Sequence, residues 1–274
     1  MTRDPRLTPA RPDLAAEKLR GEVEAPRYAK PERRRVTREA LSLLSAPGDA
    51  RIATELLWGE TVEVYETADG RAWLQAEADG YVGYAEAAGL AEPGPAPTHR
   101  VAALRTHLYP APEVKDRPVA ALPMGARLSG RVAGGWLETA EGFVPAAALA
   151  PLDRAEEDWV EVAERFLGVP YLWGGRTAAG LDCSALIQTA RHAAGLPCPR
   201  DSDMQRALGA PAPEDALARG DLVFWRGHVG VMLDARTLLH ANAHHMAVAR
   251  EPLAAAVARI EAAGYGPPAA FRRP

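Results

Sequence analysis

Cys183, one of only two cysteines in the 274-residue chain, follows the glycine-rich run Tyr171-Leu-Trp-Gly-Gly-Arg-Thr-Ala-Ala-Gly-Leu-Asp and opens Cys-Ser-Ala-Leu-Ile-Gln188. From there Leu186, Ile187, Ala190 and Ala194 recur at helical spacing, which predicts a helix whose first turn holds the thiol and whose apolar stripe is buried. A cysteine at a helix N-terminus faces the positive end of the helix dipole and unpaired backbone N–H groups, both of which lower its pKa. The expected chemistry is nucleophilic attack by a thiolate. A buried structural cysteine is the competing reading of Cys183, and for Cys198, in Leu-Pro-Cys-Pro-Arg, it is the simplest one.

A nucleophile needs a base. Asp221-Leu-Val-Phe-Trp-Arg-Gly-His-Val-Gly-Val-Met-Leu233 predicts two short strands meeting at Arg226-Gly227, with His228 opening the second. A turn at Asp234-Ala-Arg-Thr237 leads to Leu238-Leu-His-Ala-Asn242, where His240 is placed to orient the imidazole of His228 as the third member of a triad. The two histidines share a face only if Gly230 lies opposite His240, and a slip of one residue turns His240 away. Asn242, on the same face, is the alternative orienter. His244-His245 invite a metal reading, but adjacent histidines on a strand point to opposite faces and no cysteine or carboxylate completes a spaced cluster, so no metal or cofactor is expected.

The elements around these residues divide the chain. Residues 1–30 read as a Pro-broken arm with a short amphipathic helix, Leu14 to Arg20, capped at Asp13. From 31 to 151 short alternating segments and Gly, Pro and Asp turns predict small β-barrels. The pattern repeats: Val36 to Leu43, Leu57-Trp-Gly-Glu-Thr-Val, Ala72-Trp-Leu and Asp79-Gly-Tyr-Val-Gly-Tyr84 are echoed by Val101 to Leu108, Leu122-Pro-Met-Gly-Ala-Arg-Leu, Gly135-Trp-Leu and Glu141-Gly-Phe-Val-Pro145. Glu92-Pro-Gly-Pro-Ala-Pro97 links the copies, giving domains over 31–92 and 98–151. A last domain, 153–274, opens with a helix over Glu156–Leu167 whose face carries Trp159, Val162, Ala163 and Phe166.

Bulk composition narrows the functions. A net charge of −4 with interspersed signs provides no field for nucleic acid or an anionic membrane, and no apolar run is long enough to span a bilayer. The N-terminal sequence lacks the apolar core of a secretory signal, so a cytoplasmic location is expected, where a reduced Cys183 stays available.

The order and local sequence of Asp182-Cys183-Ser184, His228-Val-Gly and Leu239-His240-Ala-Asn resemble the NlpC/p60 cysteine peptidases, which cut bacterial cell-wall peptides. The resemblance covers about 153–274. The repeat ahead of it resembles bacterial SH3-like domains. An α+β architecture is therefore expected, a papain-like catalytic domain preceded by two small SH3-like barrels. The arrangement looks like a subgroup that hydrolyses the bond between the γ-carboxyl of D-glutamate and a diamino acid in stem peptides with a free N-terminal L-Ala, which implies recycling of freed wall peptides.

The resemblance also implies roles. Cys183 attacks, its helix-start N–H and Tyr171 hold the oxyanion, and His228 protonates the leaving amine before activating water. Trp173 forms a cleft wall, while Gly174 and Gly175 admit a close backbone approach. Asp201 and Ser202 receive the substrate ammonium; the plain alternative for Asp201 is a helix cap, a task Ser202 or Asp203 would fill equally well. Asp182 and Ser184 contact the peptide backbone or the D-glutamate carboxylate. Glu55 with Tyr81 or Tyr84 closes the pocket over alanine, Tyr81 being preferred because the face of Tyr84 and Val82 is expected to be core. The competing classes are a non-hydrolysing wall-peptide binding module, a cell-wall remodelling hydrolase exported by an unrecognised route, or a papain-like amidase or acyltransferase.

Overall fold

The computed structural model describes residues 3–274 and divides the α+β chain into two compact units, one reaching to Asp153 and the other spanning Arg154–Pro274. In the first unit, β-branched and aromatic segments bounded by turns pair into a seven-stranded antiparallel sheet built from Glu32–Val36, Ala40–Leu44, Ile52–Leu57, Thr61–Ala68, Arg71–Ala76, Val82–Glu86 and Leu90–Ala91. Its core gathers Val36, Leu41, Leu43, Leu56, Val62, Leu74 and Tyr81.

The later half of this unit repeats the topology. The first copy runs through six strands and the second through seven, the extra one because Arg127–Leu128 and Arg131–Ala133 are separate; each then has a short 3-10 turn (Ala87–Gly89, then Ala146–Ala148) and a closing strand that returns antiparallel to the first, Leu90 against Val36 and Leu149 against Val101. Both copies turn at a glycine with positive φ, Gly59 at 78° and Gly125 at 87°, a conformation that favours glycine. At Gly59 a side chain is also excluded by space, since a β-carbon there would stand 2.0 Å from the Arg127 carbonyl oxygen. Trp58, beside it, packs into the second copy's core with Val101, Leu108, Leu122 and Leu137.

The N-terminal arm corrects the sequence reading. Leu14–Ala16 is a strand, antiparallel to Ala10–Arg11 and parallel to Arg27–Ala29, followed only by a 3-10 turn over Glu17–Leu19. Asp13 is no helix cap; its carboxylate accepts from Arg11 and Arg27. Tertiary packing overrides the weak local preference, because Leu14, Ala16 and Leu19 cover Tyr65, Trp73 and Val82.

The second unit begins with helix α1, Trp159–Arg165, capped by the Asp158 side chain. Helix α2 spans Cys183–Ala193 and the short α3 spans Ser202–Gln205. A six-stranded sheet follows, ordered 210–211, 270–273, 222–225, 228–232, 237–242 and 247–252, with helix α4 over Leu253–Ala262. Val223, Trp225, Met232 and Leu238 share a cluster with Leu253, Ala256 and Val257 of α4. Alternation along the strands sends Val229, Val231, Leu239 and Ala241 to the other face, and α2 packs against those strands. Both faces of the central strands are thus buried, with the nucleophile's helix on one of them.

Candidate active site

The start of α2 is built around a buried ion pair. Asp182 caps the helix by accepting from the Ala185 N–H at 2.8 Å. Its carboxylate also accepts from the Gly174 N–H (2.9 Å), the Ser184 hydroxyl (3.1 Å) and both terminal nitrogens of Arg200 (3.0 and 2.7 Å). Arg200 donates to the Ser184 hydroxyl oxygen as well, and its side chain is only 1% exposed. Asp182 and Ser184 thus have a structural task in the folded chain. Their polar atoms are engaged within the protein, and they tie the glycine-rich loop to the first turn of the nucleophile's helix.

Cys183 is buried at the first position of α2. The expectation of a lowered thiol pKa does not hold for the resting site. Burial, then the neighbouring Asp182 carboxylate, push the thiol up to about 12, outweighing the backbone N–H groups of Val229 and Ser184 and the Arg200 cation, which act the other way. The resting nucleophile is a neutral thiol, so attack requires its proton to leave as the sulfur advances.

The acceptor offered for that proton is His228, held by a hydrogen-bonded row across three strands. Val231 pairs with Leu239 and Met232 with Leu238, a register that sets Gly230 across from His240 and makes the two histidines diagonal neighbours on one face. His228 Nε2 lies 2.8 Å from His240 Nδ1, and His240 Nε2 lies 2.8 Å from Glu251 Oε1. A carboxylate only accepts, so His240 donates from Nε2 to Glu251 and offers a lone pair at Nδ1. His228 then donates from Nε2 and carries its lone pair on Nδ1, the nitrogen left for the nucleophile. Burial, followed by the charges of His240 and Arg259, brings His228 to about 3; burial, followed by Arg259 and then His245 and His244, brings His240 to about 3. Both rings are neutral at physiological pH, as a proton acceptor and its orienter must be.

Glu251 escaped the sequence reading because it enters from a further strand. Leu238 pairs with Glu251 and His240 with Ala249, so only the register of strand 247–252 reveals it. It also answers the expectation that no carboxylate completes a cluster: donor atoms of His240, His245 and Glu251 lie within 4.8 Å of one another. Glu251 Oε1 is, however, bonded to the Arg259 guanidinium, whose positive charge opposes a cation there. Asn242 is not the orienter. Its amide donates to the His240 carbonyl and accepts from the backbone and ring N–H of His245.

Tyr171 stands by the site: burial and the nearby Cys183 and Asp182 raise its pKa, with Arg200 opposing. Trp173 is 61% exposed, which rules out a core role. Asp201 precedes α3 but makes no side-chain capping bond to it, so capping does not explain the residue, and Ser202 opens that turn. In the first unit Glu55 is buried on the strand paired to Ser42. Tyr81 is 5% exposed in the barrel core, whereas Tyr84 is partly exposed and receives Arg11, so the parity that favoured Tyr81 as the accessible ring is reversed.

Residues 168–259 match the NlpC/P60 family, and residues 43–90 match a bacterial dipeptidyl-peptidase SH3 domain. A gamma-D-glutamyl-L-lysine dipeptidyl-peptidase of Bacillus subtilis is 34% identical over 112 residues, 37% of this chain and 38% of that protein. A probable endopeptidase NlpC homolog of Haemophilus influenzae is 39% identical over 84 residues, 30% of this chain and 46% of its own length. The chain therefore spans less than half of either relative. A crystal structure of an NlpC/P60 family protein from Bacillus cereus shares the fold, with a TM-score of 0.74 at 19% identity over 88% of this chain and 99% of that one. The nucleophile's helix, both histidines and Glu251 all fall within residues 168–259, the stretch that matches the NlpC/P60 family.

Proposed function

We propose that the protein is an endopeptidase that hydrolyses the bond between the γ-carboxyl of D-glutamate and a diamino acid in peptidoglycan-derived peptides bearing a free N-terminal L-Ala. The observation that carries the reading is Cys183 at the mouth of α2, its sulfur accepting from the backbone N–H of Val229, the residue after His228, whose Nε2 is engaged by the His240–Glu251 row. Cys183 attacks the amide carbonyl while its proton passes to Nδ1 of His228. Backbone N–H at the start of α2, with Tyr171, stabilises the oxyanion. His228 then returns the proton to the leaving amine, and the acyl-enzyme is released by water that His228 activates. The bond and the free amine are supported by the relatives' names, which describe a dipeptidyl-peptidase acting at γ-D-glutamyl-L-lysine, and by the SH3 match. Asp201, at the start of α3, is the proposed partner of the substrate ammonium. Such a substrate places the enzyme in the recycling of freed wall peptides within the cell.

The test incubates the protein with L-Ala-γ-D-Glu-diaminopimelate, its L-Lys counterpart and their N-acetylated twins, reading products by mass spectrometry beside Cys183→Ala. Cleavage of the free-amine peptides alone is expected. Cleavage of the acetylated twins at equal rate discards the ammonium pocket, and turnover by Cys183→Ala discards the mechanism.

A further inference from the structure

We propose that Glu251, held by Arg259, is a positioning residue that fixes the tautomer of His240 and, through it, keeps the free nitrogen of His228 turned toward Cys183. The inference rests on the cysteine-peptidase reading and adds to it a residue that touches no substrate. Glu251 lies on the strand Ala247–Pro252, across from Leu238, so alternation places it on the face that carries His240. Its Oε1 is 2.8 Å from His240 Nε2, and the His240 side chain is fully buried. Arg259 reaches back from α4 to the same oxygen. The Glu251 side chain is 12% exposed and that of Arg259 26% exposed. A guanidinium cannot accept and a carboxylate cannot donate, so this pairing leaves His240 one tautomer.

Glu251→Leu keeps the bulk and removes the acceptor. Nothing then holds the His240 proton on Nε2; on Nδ1 that proton points at His228 Nε2 and leaves His228 protonated on Nδ1, the nitrogen that must receive the thiol proton. Glu251→Gln is the milder change, because its carbonyl oxygen can stand where Oε1 stands and still accept from both His240 and Arg259. Where the orienting acid of a triad is disabled, the wrong tautomer costs up to about 10⁴ in kcat.

The charges around the row give a second readout. His228 is faced by His240, Glu251, Arg259 and Asp182; His240 is faced by Glu251, Arg259, His244 and His245. Removing the Glu251 charge lowers the pKa of His228, whereas removing the Arg259 charge raises it.

The experiment measures kcat, KM and the acid limb of the pH–rate profile for wild type, Glu251→Leu, Glu251→Gln and Arg259→Gln, with the pH dependence of Cys183 alkylation by iodoacetamide measured alongside. Glu251→Leu is expected to lose about 10²–10⁴ in kcat with KM changed less than about twofold, and Glu251→Gln to retain part of what Glu251→Leu loses. The acid limb is expected to move down in Glu251→Gln and up in Arg259→Gln. A kcat for Glu251→Leu within about threefold of wild type, or limbs that move together, overturns the proposal. Should Glu251→Leu fail to fold by circular dichroism, the opposed limb shifts of Glu251→Gln and Arg259→Gln decide. If wild type cleaves no wall peptide, the peptidase reading falls, but alkylation still tests the row: Glu251→Leu must slow Cys183 alkylation at least about tenfold at neutral pH, and equal rates refute the proposal.

Discussion

Gly230 faces His240 with no room for a side chain: a β-carbon built on it would stand 3.1 Å from Cβ of His240 and 2.8 Å from Cδ1 of Leu238. Its backbone φ is not positive, so glycine is needed here for space. Gly230→Ala should displace His240 by a few tenths of an ångström, lowering kcat about tenfold or more because misplacement of this order is costly at a reacting centre. The overpacking should cost about 1–3 kcal/mol. Steady-state kinetics beside a urea titration checks both, and an unchanged kcat would show that the histidine contact tolerates the shift.

Cys183→Ala should abolish turnover while leaving the fold intact, because the sulfur is a small part of an α2 turn held mainly by Asp182 and Arg200. His240→Ala should lower kcat by roughly 10²–10⁴ with little change in KM, since His240 acts on His228 and not on substrate. Thermal melts and kinetics of the two variants separate these effects.

Arg200→Ala removes one half of a buried pair and leaves the Asp182 carboxylate uncompensated. Such a loss costs about 3–5 kcal/mol, and it should also free the glycine-rich loop that Asp182 holds through Gly174. A urea midpoint within error of wild type would contradict the structural role given to this cluster.

His228 and His240 sit near 3 in the folded chain, against about 6.5 for an unperturbed histidine. The folded state therefore binds fewer protons than the unfolded one below pH 6.5. The stability the two rings contribute is complete above that pH and falls as the pH drops toward about 3. The urea midpoint for exposing Cys198, which is 5% exposed when folded, should decline between about pH 6.5 and 4.5, and decline less steeply in a His228→Asn, His240→Asn double variant. Parallel slopes in that window would refute the assignment, since ordinary carboxylates titrate at lower pH.

Asp201→Asn should raise KM for peptides with a free N-terminal amine and leave kcat nearly unchanged, the loss of a charge-assisted contact amounting to about 1.5–3 kcal/mol. An unaltered KM would remove Asp201 from recognition.

The sequence by itself determined what is encoded locally. The apolar spacing after Cys183 and the Asp182 cap set the start of α2, and the β-branched runs around Arg226-Gly227 set the strand that His228 opens. The repeated apolar, Gly-turn and Trp pattern marked the two copies of the N-terminal β topology. Tertiary structure decided the rest, because it depends on which surfaces meet. Leu14 to Arg20 reads as an amphipathic helix, yet the chance to cover Trp73 and Tyr65 draws Leu14–Ala16 into a strand. Asp182 and Arg200 are 18 positions apart, and only folding joins them and leaves Asp182 no acceptor atom without a partner in the protein. Glu251 reaches His240 through the register of a separate strand, which no local propensity specifies. The thiol's pKa followed the same rule: the helix start was legible, but the burial and the neighbouring carboxylate that outweigh it are properties of the packed protein.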